Sequence, residues 1–134
     1  METVKIVLRY ADGKVIKGFT RRFFPKGDRL DFFPADRSVD LPTEVSLSDL
    51  KAVFVVRDWM GNSTHEERRA FAPGQKAFGR KVEITFEGGE TLVGSTLGYD
   101  LKRMGVFIIP ADSRSNNVRA FVVSSAIKMV LPVS

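Results

Sequence analysis

Basic and aromatic residues lie side by side in one short segment in the first third of the chain. Residues 21–26 read Arg21, Arg22, Phe23, Phe24, Pro25 and Lys26. Single-stranded nucleic acid is bound by cations that contact phosphates and by rings that stack on bases. RNA or single-stranded DNA binding through Arg21, Arg22, Phe23 and Lys26 is therefore one hypothesis. The alternative is structural: Phe23 fills the mouth of a barrel and the arginines lie in water.

A second pair of cations, Arg68 and Arg69, could clamp a phosphate group. Guanidinium groups bind phosphate oxygens through two parallel hydrogen bonds. Glu66 and Glu67 directly precede them, so the alternative is a solvent-exposed helical turn in which these carboxylates pair with the arginines.

Other polar residues fit structural roles better than chemical ones. Asp36 and Asp112 each end a Pro-Ala-Asp triplet after a predicted strand, where an aspartate commonly caps its own turn. The polar loop 113–117 needs no ligand to explain it. His65, the only histidine, has no acid or nucleophile at motif spacing. Because phosphate-loop, nucleophile-elbow and metal-ligand patterns are also missing from the sequence, we predict a protein that is not an enzyme and uses no cofactor or metal.

Composition narrows the function classes further. The 134 residues include no cysteine, which excludes disulfides, thiolate metal sites and thiol catalysis. The net charge of +5 favours anionic partners. No apolar run approaches the roughly 20 residues of a membrane span, and the N-terminal residues run into a strand pattern instead of a signal peptide. We therefore expect a cytoplasmic protein.

The elements that position these residues follow from an internal repeat. Residues 5–36 align with residues 81–112 at a constant offset of 76, without a gap, and eight positions hold the same residue in both copies. They are Lys5/Lys81, Gly13/Gly89, Gly18/Gly94, Thr20/Thr96, Lys26/Lys102, Pro34/Pro110, Ala35/Ala111 and Asp36/Asp112. Such self-similarity indicates one structural unit present twice.

Each copy is predicted to contain five short antiparallel strands. Apolar and polar residues alternate over 4–10, the Asp12-Gly13 pair is typical of a hairpin turn, and Gly18 predicts a bend or a close backbone approach in the second strand. The predicted strands are 4–10, 14–22, 29–33, 44–47 and 50–56 in the first copy, and 82–86, 91–96, 106–109, 118–123 and 127–131 in the second.

Five bent strands in about 50 residues indicate a small closed barrel. The predicted fold is all-β: two tandem five-stranded SH3-like or Sm-like barrels, residues 1–56 and 81–134, joined by a connector, residues 57–80, with a short helix over 64–69. A unit of this size is marginal alone, so we expect the copies to pack on each other.

Residues 6–19 and 82–94, with their turn and mid-strand glycines, resemble Sm-like and SH3-like small barrels. Bacterial Sm-like proteins form rings that bind RNA, so the resemblance implies RNA binding where their contact motif is present. The Asp and Asn pair of that motif would fall at residues 24–26, which here are Phe, Pro and Lys.

The second copy and its lead-in resemble PilZ domains, barrels that bind the bacterial messenger cyclic di-GMP. Arg68 and Arg69 stand where that family has R-x-x-x-R, and Asp100 and Gly105 keep the spacing of its D/N-x-S-x-x-G motif. Lys102 occupies the serine position, and neither arginine has a second arginine four residues later. The resemblance implies a cyclic di-GMP site at these five residues, or a barrel of this kind that has lost its nucleotide.

The leading functional prediction is a non-enzymatic regulatory or adaptor module that acts by binding a protein partner or an anionic ligand. Cyclic di-GMP binding and single-stranded nucleic acid binding are the alternatives. Homo-oligomerisation is a further expectation, because exposed strand edges such as Val53–Val56 can pair between chains.

Overall fold

The structure, a computed structural model, describes residues 3–21, 27–36, 41–61 and 68–134. It is all-β, as predicted, with ten antiparallel strands and two single-turn 3-10 helices. Of the predicted connector helix, residues 64–67 lie outside the described ranges, and Arg68 and Arg69 are not helical. Within the described residues, no helix is long and apolar enough to span a membrane.

The ten strands begin and end within two residues of their predicted positions. They are β1 Val4–Tyr10, β2 Val15–Thr20, β3 Arg29–Pro34, β4 Thr43–Ser46 and β5 Leu50–Val56, then β6 Arg80–Phe86, β7 Thr91–Thr96, β8 Gly105–Pro110, β9 Asn117–Val123 and β10 Ile127–Pro132. The two 3-10 turns, Leu47–Asp49 and Ser124–Ala126, precede β5 and β10 at equivalent points of the repeat.

The two copies have the same strand order and the same register. The order is β4-β3-β2-β1-β5 in the first copy and β9-β8-β7-β6-β10 in the second. Leu8 lies opposite Val53 in the first copy, and the equivalent pair in the second is Ile84 opposite Val130. The repeat in the sequence therefore corresponds to a repeat of the whole hydrogen-bonding pattern.

The glycine predicted to bend the second strand allows a close approach of the backbone. A Cβ atom at Gly18 would overlap the carbonyl oxygen of Phe33, and one at the equivalent Gly94 would overlap that of Ile109. The missing Cβ atom lets β2 approach β3, and β7 approach β8. Each of these strand pairs has only two paired positions. These two glycines therefore permit the close approach of β2 to β3 and of β7 to β8.

The copies join through a seam between β5 and β9, in which Val53 lies opposite Phe121. Strand β5 thus has β1 on one side and β9 on the other. The prediction that Val53–Val56 forms an exposed edge for oligomerisation is wrong, because that edge is already occupied by the second copy of the same chain.

Two hydrophobic cores lie on opposite faces of the seam, and each takes residues from both copies. Val53 and Val55 of β5 pack in the first core beside Phe121 and Val123 of β9. The residues that alternate with these along the two strands face the opposite side of the sheet and pack in the second core. They are Ala52, Phe54 and Val56 of β5, and Ala120 and Val122 of β9. The strand pairing gives one open ten-stranded sheet and does not confirm two separately closed barrels.

Candidate binding groove

A groove of about 940 Å³ lies on the outer face of the second copy, where that copy meets the first. Its floor comes from β8 and β9. Val106 and Ile108 of β8 point into the second core, so Phe107 and Ile109, which alternate with them, point outward into the groove. Phe107 stacks edge-on against Phe121, with 4.9 Å between the ring centroids.

The walls of the groove carry large apolar side chains that water reaches freely. Phe78 is 70% exposed and Leu97 is 76% exposed. Gly79, with a positive φ of 91°, brings the chain so close to the backbone of Thr96 and Leu97 that a Cβ atom would not fit. This contact holds Phe78 beside Leu97 at the groove's edge. Tyr99, also exposed, follows on the loop between β7 and β8.

A turn in the β7–β8 loop shapes one end of the groove. The Asp100 side chain accepts the backbone N–H of Lys102 at 2.9 Å, and its carbonyl accepts the N–H of Arg103 at 2.9 Å. Arg103 and Arg119 line the groove beside the aromatic residues. Within the described part of the chain, the salt bridges do not include Arg103.

The equivalent face of the first copy has different chemistry. Asp31 stands where the second copy has Phe107, and the Arg21 guanidinium covers Phe33, the counterpart of Ile109, at 5.0 Å from the ring centroid. Arg21 also approaches Asp31 to 3.9 Å. Among the described residues, this face of the first copy is therefore charged at positions where the second copy is apolar.

Of the residues proposed for nucleic acid binding, the structure describes only Arg21. It is partly exposed and stacks on Phe33 as given above. Arg22, Phe23 and Lys26 lie outside the described residues, so that hypothesis remains a prediction.

Arg68 is committed to contacts within the protein. Its guanidinium donates to the carbonyl oxygens of Ala70 and Ala111 and to Gln75 Oε1 at 2.6 to 3.1 Å. Its backbone N–H donates to Asp112 Oδ2 at 2.8 Å. Arg68 therefore fastens the connector to the end of β8. Asp112 also caps its own turn, as predicted, because its Oδ1 accepts the backbone N–H of Arg114 at 2.9 Å.

The residues implied by the PilZ resemblance do not gather in one place. Arg68 and Arg69 line a small cavity of about 260 Å³ near the β6–β7 turn. Asp100 and Gly105 line the large groove at the opposite end of β7, and the two cavities share no lining residue. Lys102 lines neither cavity, so the five implied residues are not brought together, and cyclic di-GMP binding stays an untested hypothesis.

A charged cluster near the small cavity connects the two copies. Glu90, in the β6–β7 turn, lies 2.6 Å from Lys51 Nζ of β5 and 3.5 Å from Arg9 of β1. The hydrogen bond from Lys51 lowers the pKa of Glu90; the charges of Lys51, Arg9 and Arg69 act in the same direction, and partial burial opposes them.

The polar loop 113–117 holds the start of the connector. Arg57 donates from its side chain to the carbonyl oxygens of Ser113 and Ser115, and Asn116 exchanges hydrogen bonds with the backbone of Asp58. In the described ranges, no group of three or more His, Cys, Asp or Glu side chains is placed to hold a metal ion.

Most residues that line the groove were not predicted from the sequence as site residues. They include Phe78, Leu97, Phe107, Ile109 and Arg119. One signal was present: residues 106–109 are apolar without interruption, although a strand with only one buried face should alternate. An apolar run of this kind indicates that the outward face of β8 is also apolar.

Comparison with known proteins places the whole chain in one family. The profile of the DUF6982 family, described as a family of unknown function, matches residues 2–133. The chain belongs to this family. The match spans both copies of the repeat. No curated protein and no solved structure matches the chain.

Proposed function

We propose that this protein is a non-enzymatic regulatory or adaptor module that binds an apolar segment of a partner protein in the groove of its second copy. The observation that carries the proposal is the cluster of water-exposed apolar side chains around that groove: Phe78, Leu97, Tyr99, Phe107 and Ile109. Leaving this much apolar surface in water is unfavourable unless a partner covers it.

The residue types also favour a protein partner. Interfaces concentrate their binding energy in aromatic residues and arginine, often around a central pocket. Here Phe107 and Tyr99 supply rings, and Arg103 and Arg119 supply donors for carbonyl or carboxylate groups of the partner. A groove of about 940 Å³ has room for several side chains of an inserted segment.

A substitution taken from the chain's own first copy tests the proposal. Peptides would be selected from a displayed random library on the wild-type protein and then measured against Phe107→Asp, which places the residue of the equivalent position 31 in the groove. We expect apolar peptides to be selected and to bind the variant at least about 10-fold more weakly, a loss of about 1.4 kcal/mol.

The matched control is Val15→Asp, which adds the same charge at an exposed apolar strand residue outside the groove. It should leave peptide affinity unchanged. Selection of no apolar peptide, or equal affinity for wild type and Phe107→Asp, would refute the proposal.

Single-stranded nucleic acid is the second candidate occupant. Arg103 and Arg119 beside Tyr99 and Phe107 are also the combination that contacts phosphates and stacks on bases. Binding of this kind weakens steeply with salt. An RNA oligonucleotide whose affinity falls with salt and with Arg103→Ala supports the groove as its site. Loss of binding in Arg21→Ala/Arg22→Ala alone instead supports the segment 21–26.

A further inference from the structure

The two outer strands of the sheet are the counterparts of the two strands that form the seam. Strand β4 occupies the same place in the first copy as β9 in the second, and β10 is the counterpart of β5. Among the described strands, none pairs with the outer edge of β10 or of β4. The outer edge of β10 in one molecule is therefore related to the outer edge of β4 in another molecule as β5 is to β9. Repeating the seam between molecules would add one chain after another in a head-to-tail series.

The edge of β10 carries apolar side chains that such an addition would cover. Met129 and Leu131 are each 43% exposed. Their counterparts in β5 are Ala52 and Phe54, which the second copy buries in its core. If the seam is to form only within one molecule, some residue at this edge must prevent β10 from pairing with a second molecule.

One residue pair of the seam is replaced by two prolines at the outer edges of the sheet. Val55 lies opposite Arg119 in the seam. In the equivalent alignment of β10 with β4, both residues at this position are proline, Pro132 and Pro42. Proline has no N–H to donate, and its ring occupies the space where the hydrogen would lie.

Both proline nitrogens face the free side of their strands. Val133 donates its N–H to Lys81 on β6, so the nitrogen of Pro132, one residue earlier, points away from β6. Leu47 donates to Asp28 at the end next to β3. Pro42 directly precedes β4, and continuing the same alternation by one residue turns its nitrogen away from β3. The two rings would meet where the seam has a pair that exchanges two hydrogen bonds.

We propose that Pro42 and Pro132 close the two free edges to further copies of this chain, so that the seam forms once within a molecule and does not propagate. The partner excluded is a second molecule of the same protein, and the excluded surface is the β10 edge against the β4 edge.

The test restores the residues that the seam itself uses. The wild type should sediment as a monomer of 15.0 kDa at all concentrations. The double variant Pro42→Arg/Pro132→Val should form species that grow with concentration, because every molecule then has two open edges. Far-UV circular dichroism and a thermal unfolding transition establish that each variant is folded.

The single variants give a sharper result, since each opens only one edge. Pro132→Val mixed with Pro42→Arg should form a dimer and stop there, because the remaining edges of the pair are still closed. The proposal is overturned if the wild type already assembles through these edges, or if the folded double variant and the mixture both stay at 15.0 kDa.

Discussion

At the scale of single residues, Arg68 and Arg69 are neighbours in sequence with different roles. Arg68 donates to three acceptors that fasten the connector to the second copy. Arg68→Ala should lower the free energy of unfolding by about 1 kcal/mol, as expected for exposed, charge-assisted hydrogen bonds. Arg69→Ala is the matched control and should change it by less than about 0.5 kcal/mol. Urea unfolding of both variants checks this. A larger loss of stability in Arg69→Ala than in Arg68→Ala would show that Arg68 does not hold the connector.

The contacts of Arg68 also bear on cyclic di-GMP. A guanidinium already bonded to Ala111 and Gln75 must release those partners before it can bind a guanine or a phosphate. We therefore expect calorimetric titration with cyclic di-GMP to give no heat of binding. Binding that disappears in Arg68→Ala and persists in Lys51→Ala would instead support the site implied by the PilZ resemblance.

Glu90 makes stability depend on pH in a predictable direction. Its pKa is lowered in the folded protein, chiefly by the hydrogen bond from Lys51, from an ordinary value of 4.5. The carboxylate therefore stabilises the fold above pH 4.5, and this contribution is lost as the pH falls through the lowered pKa. Glu90→Gln should lose at most about 0.5 kcal/mol at neutral pH, because the Glu90 side chain is 54% exposed and water screens its charge.

The difference in unfolding free energy between the wild type and Glu90→Gln should vanish in acid and shrink in high salt. Glu87→Gln, a nearby exposed carboxylate without a salt bridge among the described residues, is the control and should show neither effect. Urea unfolding at several pH values makes the comparison, and a Glu90→Gln deficit that persists in strong acid would exclude an electrostatic origin.

At the scale of the strands, the bend glycines make the strongest local prediction. Gly94→Ala would place a Cβ atom against the carbonyl oxygen of Ile109. We expect a loss of about 1 to 3 kcal/mol, because two strands must move apart to admit it. Gly88→Ala meets no atom within 4 Å and should be nearly neutral. Thermal unfolding compares the two, and equal stability of both variants would contradict the role given to Gly94.

The strands were predictable because their signals are local. Alternation, the Asp12-Gly13 turn and the mid-strand glycines all act within a few residues, and each strand lies within two residues of its predicted bounds. The seam was not recognised, although residues 52–56 and 120–123 are continuous apolar runs, which are typical of strands buried on both faces. Such a run indicates that both faces of a strand are buried. It does not identify the strand that pairs with it by hydrogen bonds.

The groove was harder to predict than the strands, because it is assembled from distant parts of the chain. Phe78 belongs to the connector, Leu97 to the end of β7 and Arg119 to β9. Their proximity depends on the close approach at Gly79 and on the pairing of β8 with β9. Asp100 and Gly105, which the PilZ resemblance selected as nucleotide-binding residues, line the groove, and the role implied for them stays a prediction.

At the scale of the whole molecule, the exchange of side chains across the seam makes each copy depend on the other. Residues 1–56 alone would expose Ala52, Phe54 and Val56, and would leave the first core without Phe121 and Val123. Burial of such side chains is the main favourable contribution to folding, and units of this size have little stability to lose. The boundary predicted after residue 56 separates the repeats in sequence and does not separate two cores.

The full chain should therefore unfold in one cooperative transition. Trp59 reports on both copies, since its indole N–H donates to Gly18 of β2 while its ring packs against the second core. Phe54→Ala removes a first-copy ring from the second core, and Phe121→Ala removes a second-copy ring from the first core. Each should cost about 3 to 5 kcal/mol. Both should shift the same single urea transition, with Trp59 fluorescence and far-UV circular dichroism superimposed. Two transitions, each sensitive to only one of these substitutions, would mean that the copies fold independently and that the seam is a contact between finished units.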